Sequence, residues 1–248
     1  MRLLVSIKDA NEVEDAILGG ADIIDVKDPS TGSLGLPEFA VLKDVVNIVK
    51  SYSSKEVSMA LGDISGYCKK LSYVAFSASM LNVDYLKLGI ALKDVDEIKR
   101  IIMSVSEAID SLSRPKLIVV GYADFRYEGF IEPTVLIDIA IATKVQGVMI
   151  DTFRKNGINT FNLLTIDYLR NFVTFAHNQG LLAAIAGGIN MEHLPLCAKL
   201  GFDVVGVRGA VCVGKRTDRI SRERVKLFKE LLKSLEISKE KSISTSST

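Results

Sequence analysis

Eight short apolar runs, most of them rich in Val and Ile, constrain the fold of this chain more than any other feature. They fall at residues 2–7, 22–27, 56–62, 84–89, 116–121, 147–151, 181–187 and 203–208. Stretches with helical periodicity separate most of them, including 11–18, 37–49, 95–109 and 164–177. Continuous apolar strands that alternate with amphipathic helices describe a parallel sheet covered by helices. Eight such units in 248 residues favour an α/β chain closed into a single (β/α)8 TIM barrel, a fold of about 250 residues. A weak echo at 20–25, 82–87 and 201–206 has an Asp opening a strand ahead of an apolar pair, as a repeated unit should. The barrel is expected to occupy 1–235. Residues 236–248 are rich in Ser, Lys and Thr and are expected to form a flexible tail.

Charge and cysteine content narrow the function classes. The 31 basic and 30 acidic residues leave a net charge of +1, so no bulk field favours nucleic acid or an acidic membrane. Cys68, Cys197 and Cys212 are scattered without CxxC spacing, and the two histidines, His177 and His193, offer no metal-ligand pair. Neither a metal nor a cofactor is expected. The N-terminal run is short and lacks the core of a signal peptide. No run approaches the ~20 apolar residues that span a bilayer. The expected location is the cytoplasm. Barrels often associate through their helices, so a homo-oligomer is an open expectation.

Barrel chemistry sits at the C-terminal ends of the strands. The second run ends Asp25-Val26-Lys27, the fourth has Tyr85 and Lys87, and the sixth ends at Asp151 with Lys155 just beyond. Residues two apart on a strand share a face, so Asp25 and Lys27 should both face the mouth. A lysine attacks a carbonyl only as the neutral amine. Desolvation or a neighbouring cation frees its lone pair. Lys87 and Lys155 can supply that charge beside Lys27, while Asp25 or Asp151 orients the amine or shuttles protons. Buried Lys–Asp ion pairs with no chemistry are the bland reading of any one lysine. Three lysines at strand ends would bury much charge for no return.

The seventh and eighth runs end in Gly187-Gly188 and Arg208-Gly209. Glycines there let backbone N–H groups approach an anion, and Arg208 adds a bidentate donor if it faces inward. A phosphorylated ligand is expected, with tight turns as the alternative reason for the glycines. The segment 31–35 is either a mobile loop over the site or a turn. It lacks the Gly-Lys-Ser/Thr ending of a nucleotide loop. Cys212 reads as a packed thiol, His193 as a surface residue, and Arg126 with Glu128 as a solvated loop. Tyr122 and Asp124 face the mouth without an assigned role.

These residues resemble a known family. Asp-Ile-Ile-Asp-Val-Lys-Asp-Pro at 22–29 with Gly-Ser-Leu-Gly at 32–35 looks like the signature of (5-formylfuran-3-yl)methyl phosphate synthases. The resemblance continues at 85–89, 121–124, 149–152 with Lys155, 186–189 and 205–210. It implies a lyase of methanofuran biosynthesis that condenses two molecules of glyceraldehyde 3-phosphate with loss of water and one phosphate. It further implies that Lys27 forms the Schiff base and that Lys87 accepts a proton. Asp25, Asp151 and Lys155 would support proton transfer. Residues 64–70 depart from the Pro-Gly-Thr-like loop usual in the family, which bears on the third βα loop. Two other readings share many of these features. One is a different class I aldolase-like barrel acting on a phosphorylated carbonyl. The other is a barrel that binds a phosphometabolite without catalysis and would not need Lys27.

Overall fold

The computed structural model describes the backbone of residues 1–110 and 115–245, with side chains as far as Ser238. The chain begins with β1 (Arg2–Ile7), α1 (Val13–Leu18), β2 (Ile23–Val26) and α2 (Phe39–Val49). It continues with β3 (Glu56–Ile64), α3 (Lys70–Met80), β4 (Tyr85–Ile90) and α4 (Val95–Ile109). Then follow β5 (Lys116–Tyr122), α5 (Phe125–Glu128), α6 (Val135–Ala142) and β6 (Gly147–Asp151). The last part comprises α7 (Thr160–Leu163), α8 (Ile166–Asn178), β7 (Leu182–Ile185), α9 (Leu194–Leu200), β8 (Val204–Val207) and α10 (Arg222–Thr245). The eight strands pair in parallel in chain order, and β8 closes on β1. The architecture is the (β/α)8 barrel that the alternating runs describe.

Alternation along each strand divides the core in two. Leu3, Val5, Ile7, Ile24, Val26, Leu86 and Leu88 point outward and are buried beneath the helices. Leu4, Ile23, Tyr85, Ile118, Met149, Ala184 and Val204 point inward and fill the lower barrel. Arg2 closes that end by donating to the Tyr85 hydroxyl at 2.9 Å, and a buried polar layer lies above it. There Ser6, Asp25, Ser58, Lys87 and Asp151 are all buried. Helix starts are fixed locally: the Asp94 carboxylate accepts from the Glu97 N–H to cap α4, and the Thr165 hydroxyl from the Tyr168 N–H to cap α8.

One irregularity matters for the site. The β3–β4 register shifts between Ala60 and Asp63, where Gly62 takes φ +115°. An extra residue in a strand exchanges inward and outward positions beyond it. Asp63 is thereby turned toward the mouth. Its carboxylate accepts from the Tyr122 hydroxyl and from the Ser33 and Leu34 N–H groups, at 2.7 Å for Ser33.

The C-terminal boundary differs from expectation. The backbone stays helical through Thr245, whereas the segment from 236 was expected to be a tail. Residues 246–248 lie outside the described part. No helix among the described residues is long and apolar enough to cross a membrane.

Gly89 shows how tightly the upper barrel is packed. A Cβ there would lie 2.1 Å from the Tyr122 hydroxyl oxygen and 2.9 Å from Asp63 Oδ1. Gly89→Ala is therefore expected to lower unfolding free energy by about 1–3 kcal/mol in denaturant titrations. Adding Tyr122→Phe should recover part of the loss, because the hydroxyl is the nearest obstruction. Unchanged stability of the single variant would refute the close approach.

Candidate active site

The strand ends bring the three lysines and two aspartates into one cluster, buried except for Lys155 at its rim. Asp25 is wholly inaccessible. Its Oδ2 accepts from Lys87 Nζ and from the Ser6 hydroxyl, each at 2.7 Å. On the facing wall, Asp151 Oδ1 accepts from Lys155 Nζ at 2.6 Å and from the Thr152 N–H at 2.7 Å. Lys155 also donates to the Thr152 hydroxyl at 3.2 Å. Two lysines are thus matched with two carboxylates.

Lys27 is left as the third amine. It is buried, and its Nζ donates to a neutral acceptor, the Ser33 carbonyl, at 3.2 Å. Burial is the largest influence on it and lowers its pKa from 10.5 to about 7. The Lys87 charge pushes the same way more strongly than that of Lys155, while Asp151 and Asp25 oppose them. Near neutral pH a large fraction of this side chain is the free amine. Burial pushes Asp25 and Asp151 toward the neutral acid, but their lysine partners prevail. Lys87 and then Lys27 hold Asp25 below its ordinary value; Lys155 and then Lys27 do the same for Asp151.

The loop from Asp28 to Pro37 is folded into the mouth, and in this structure it is neither a free flap nor a simple turn. Leu34 is fully buried among the inward-facing residues. The Ser33 hydroxyl donates to the Thr152 carbonyl at 2.9 Å and to Asp151 Oδ2 at 3.3 Å. Asp63 holds the loop from one side. Arg216 holds it from the other, donating to the Pro29 carbonyl, to Gly32 at 2.8 Å and to Ser33 at 3.3 Å. Tyr122, fully buried against Phe130 and Phe153, supports Asp63. Burial and the adjacent Asp63 raise its phenol pKa well above 10.0, so it remains a donor.

A cavity of about 400 Å³ opens over the cluster. Lys27, Lys87, Asp151, Lys155 and Arg216 line one part, and Gly187, Gly188 and Gly209 line another. Gly187 and Gly188 adopt φ +89° and +66°. A Cβ at Gly187 would lie 2.4 Å from the Thr160 hydroxyl, so the turn itself demands glycine. Among the described residues, the N–H groups of Gly187, Gly188 and Gly209 have no protein acceptor. The structural reason for Gly187 and the open N–H groups coexist.

Arg208 requires correction. It points inward, but its Nη1 and Nη2 form a buried fork with Glu12. The other donors go to the carbonyls of Ser6, Asp218 and Arg216, at 3.0, 2.8 and 2.9 Å. All five N–H groups are committed, so Arg208 is a structural residue with nothing left for a ligand. Sequence spacing offered no sign of this because Glu12 lies 196 positions away. Asp63, Ser33 and Arg216 were also missed as site residues. Only the Gly-Ser-Leu-Gly segment hinted at one of them. Elsewhere, His193 stacks on Phe161, Glu128 pairs with Arg154 at 2.7 Å, and Asp124 accepts the N–H groups of Phe153 and Arg154.

Closed parallel barrels of this kind place their chemistry at the C-terminal strand ends, and this one is a (β/α)8 barrel with a lysine-centred site. Its sequence specifies more: the chain belongs to the family described as 4-HFC-P synthase, which matches residues 3–229. It is 38% identical over 239 residues to a (5-formylfuran-3-yl)methyl phosphate synthase of Methanocaldococcus jannaschii, covering 94% of this chain and 100% of the relative. A protein of the same name from Methanothermobacter thermautotrophicus is 36% identical with the same coverage. Among solved structures, 3-hexulose-6-phosphate synthase from Salmonella typhimurium aligns with a TM-score of 0.64 at 16% identity, covering 95% of this chain and 100% of that one. Thiamine phosphate pyrophosphorylase from Pyrococcus furiosus gives 0.62 at 15%, covering 94% and 96%. These two likenesses show the fold alone.

Lys27→Met is expected to melt at a higher temperature than wild type near neutral pH. The folded pKa of about 7 lies below the ordinary 10.5, so between these values the unfolded chain binds more protons. Wild-type stability then rises with pH across that window, and the variant's advantage shrinks. Thermal melts at several pH values check this; a constant advantage would show that Lys27 is not desolvated. Arg208→Ala should lose about 3–5 kcal/mol, because it strands the buried Glu12 carboxylate. Denaturant unfolding measures the loss, and a change below 1 kcal/mol or so would argue against a buried pair.

Proposed function

We propose that this chain is a Schiff-base-forming lyase that condenses two molecules of glyceraldehyde 3-phosphate to (5-formylfuran-3-yl)methyl phosphate, a step of methanofuran biosynthesis. The observation that carries the reading is the unmatched amine of Lys27. It is buried, flanked by two paired lysines, and holds a pKa of about 7. Such an amine attacks an aldehyde without first losing a tightly held proton. The names of the family's relatives support the product, and the substrate is the one that the sequence resemblance implies.

The neutral Lys27 adds to the carbonyl carbon of one triose phosphate, and loss of water gives an iminium. The iminium acidifies the adjacent C–H, and a base removes that proton to leave an enamine. Lys87 and Asp25 form the base pair nearest the floor of the site, and Asp25 Oδ1 has no hydrogen-bond partner among the described residues. Lys155 and Asp151 stand on the opposite wall and serve the second half of the proton traffic. The enamine attacks the second aldehyde; dehydration and loss of one phosphate then form the ring. Two trioses yield one furan phosphate, one phosphate and two waters, which closes the atom count. The coupled lysines and carboxylates share these transfers as a unit. The N–H groups of Gly187, Gly188 and Gly209 take substrate phosphate. This chemistry calls for no cofactor.

The other aldolase-like reading shares the amine and differs in product. A purely binding barrel has no use for an unmatched buried lysine. Borohydride added with glyceraldehyde 3-phosphate should trap an adduct on Lys27, visible by peptide mass, and incubation without borohydride should release a furan phosphate. Lys27→Ala should abolish both while remaining folded. Full turnover by that variant would move the chemistry to another residue, and a different product would select the aldolase-like alternative.

A further inference from the structure

Two arginines at the end of β8 have opposite electrostatic situations. Arg208 is neutralised by Glu12, and all its donors are in use. Two of those donors go to the carbonyls of Arg216 and Asp218. Arg208 therefore fixes the loop that carries Arg216. The Cys212 thiol lies 3.6 Å from the Arg216 carbonyl, on the same loop.

Arg216 lines the cavity and is half-buried, and its recorded partners are the three carbonyls of Pro29, Gly32 and Ser33. No carboxylate lies within ion-pair distance of it among the described residues. Its Nε–H and one Nη1–H have no acceptor there either. Burial lowers its pKa, and the carboxylates of Asp151 and Asp63 offset this only from beyond contact. A partly desolvated guanidinium with no counter-ion is expensive to maintain unless a bound anion completes it. The other cations of the cavity are already assigned. Lys87 and Lys155 are ion-paired, Arg208 is consumed by Glu12, and Lys27 acts as a neutral amine.

We propose that Arg216 is the cation of the phosphate site. With the open N–H groups of Gly187, Gly188 and Gly209 it takes the phosphate of a phosphomonoester, and Arg208 acts only by holding Arg216 in place. The proposal rests on reading the cavity as a site for phosphorylated aldehydes, and it makes that reading more specific. One guanidinium then serves both ends of the site. Its Nη2 holds the Gly32 and Ser33 carbonyls, and Ser33 in turn accepts from Lys27. The free Nε–H and Nη1–H remain for the anion. Phosphate recognition is thereby tied to the loop that covers the reactive amine.

The test titrates inorganic phosphate into the intact protein without any aldehyde, so it does not depend on Schiff-base chemistry. Wild type should bind phosphate, and Arg216→Gln should weaken binding by roughly 10-fold to 100-fold, the loss expected for charge-assisted hydrogen bonds. Arg216→Lys should recover part of the affinity by restoring the charge. In wild type, phenylglyoxal should label Arg216, and phosphate should protect it. This second measurement decides the matter if the Gln variant does not fold. Absence of phosphate binding by wild type, equal affinity in folded Arg216→Gln, or labelling unaffected by phosphate would each overturn the proposal. Phosphate binding through Arg216 with no borohydride trapping at Lys27 would instead remove the Schiff-base reading and leave this one standing.

Discussion

Two buried amines, Lys27 and Lys87, and the more exposed Lys155 share two buried carboxylates at the mouth of this barrel, and the remaining features of the site follow from that imbalance. Asp25 takes Lys87, and Asp151 takes Lys155. Lys27 is left with a carbonyl. In a desolvated pocket the least expensive response to surplus positive charge is to release a proton from the group without a counter-ion. A third carboxylate within contact would hold that proton on. A more open mouth would weaken the desolvation that is the largest cause of the shift.

The imbalance persists because the surroundings are rigid. The inner face below the cluster is lined by packed apolar side chains, among them Leu4, Ile23, Tyr85, Ile118 and Met149. Above it, the loop from Asp28 to Pro37 is fastened at two points, by Asp63 on the bulge of β3 and by Arg216 after β8. Each fastening has its own support. Tyr122 donates to Asp63 across the space that Gly89 leaves open, and the Glu12–Arg208 pair holds the Arg216 loop. Residues with no part in the chemistry thus keep the Ser33 carbonyl against the Lys27 amine.

Much of this was legible beforehand. Strand parity placed Asp25 with Lys27, and the strand ends indicated Lys87, Asp151 and Lys155, because period-two alternation survives in β2, β4 and β6. It fails in β3, where the bulge at Gly62 brings Asp63 to a face that simple counting would not assign to it. Arg208 was legible as an inward residue but not as a consumed one, since its partner comes from the opposite end of the chain. Arg216 lies in an irregular loop where no periodicity applies. The extension of α10 past residue 235 escaped a reading based on apolar content, because helix continuation does not require it.

By itself the sequence determined the barrel, its polar mouth and the five ionisable residues gathered there. Those depend on local alternation and on strand order, which short-range pattern encodes. Only the tertiary structure decided which amine stays unmatched, which arginine lacks a carboxylate partner and how the loop over Lys27 is held. Each of these depends on pairings between distant segments. A charge becomes available or consumed according to the partner that three-dimensional packing brings within hydrogen-bond distance.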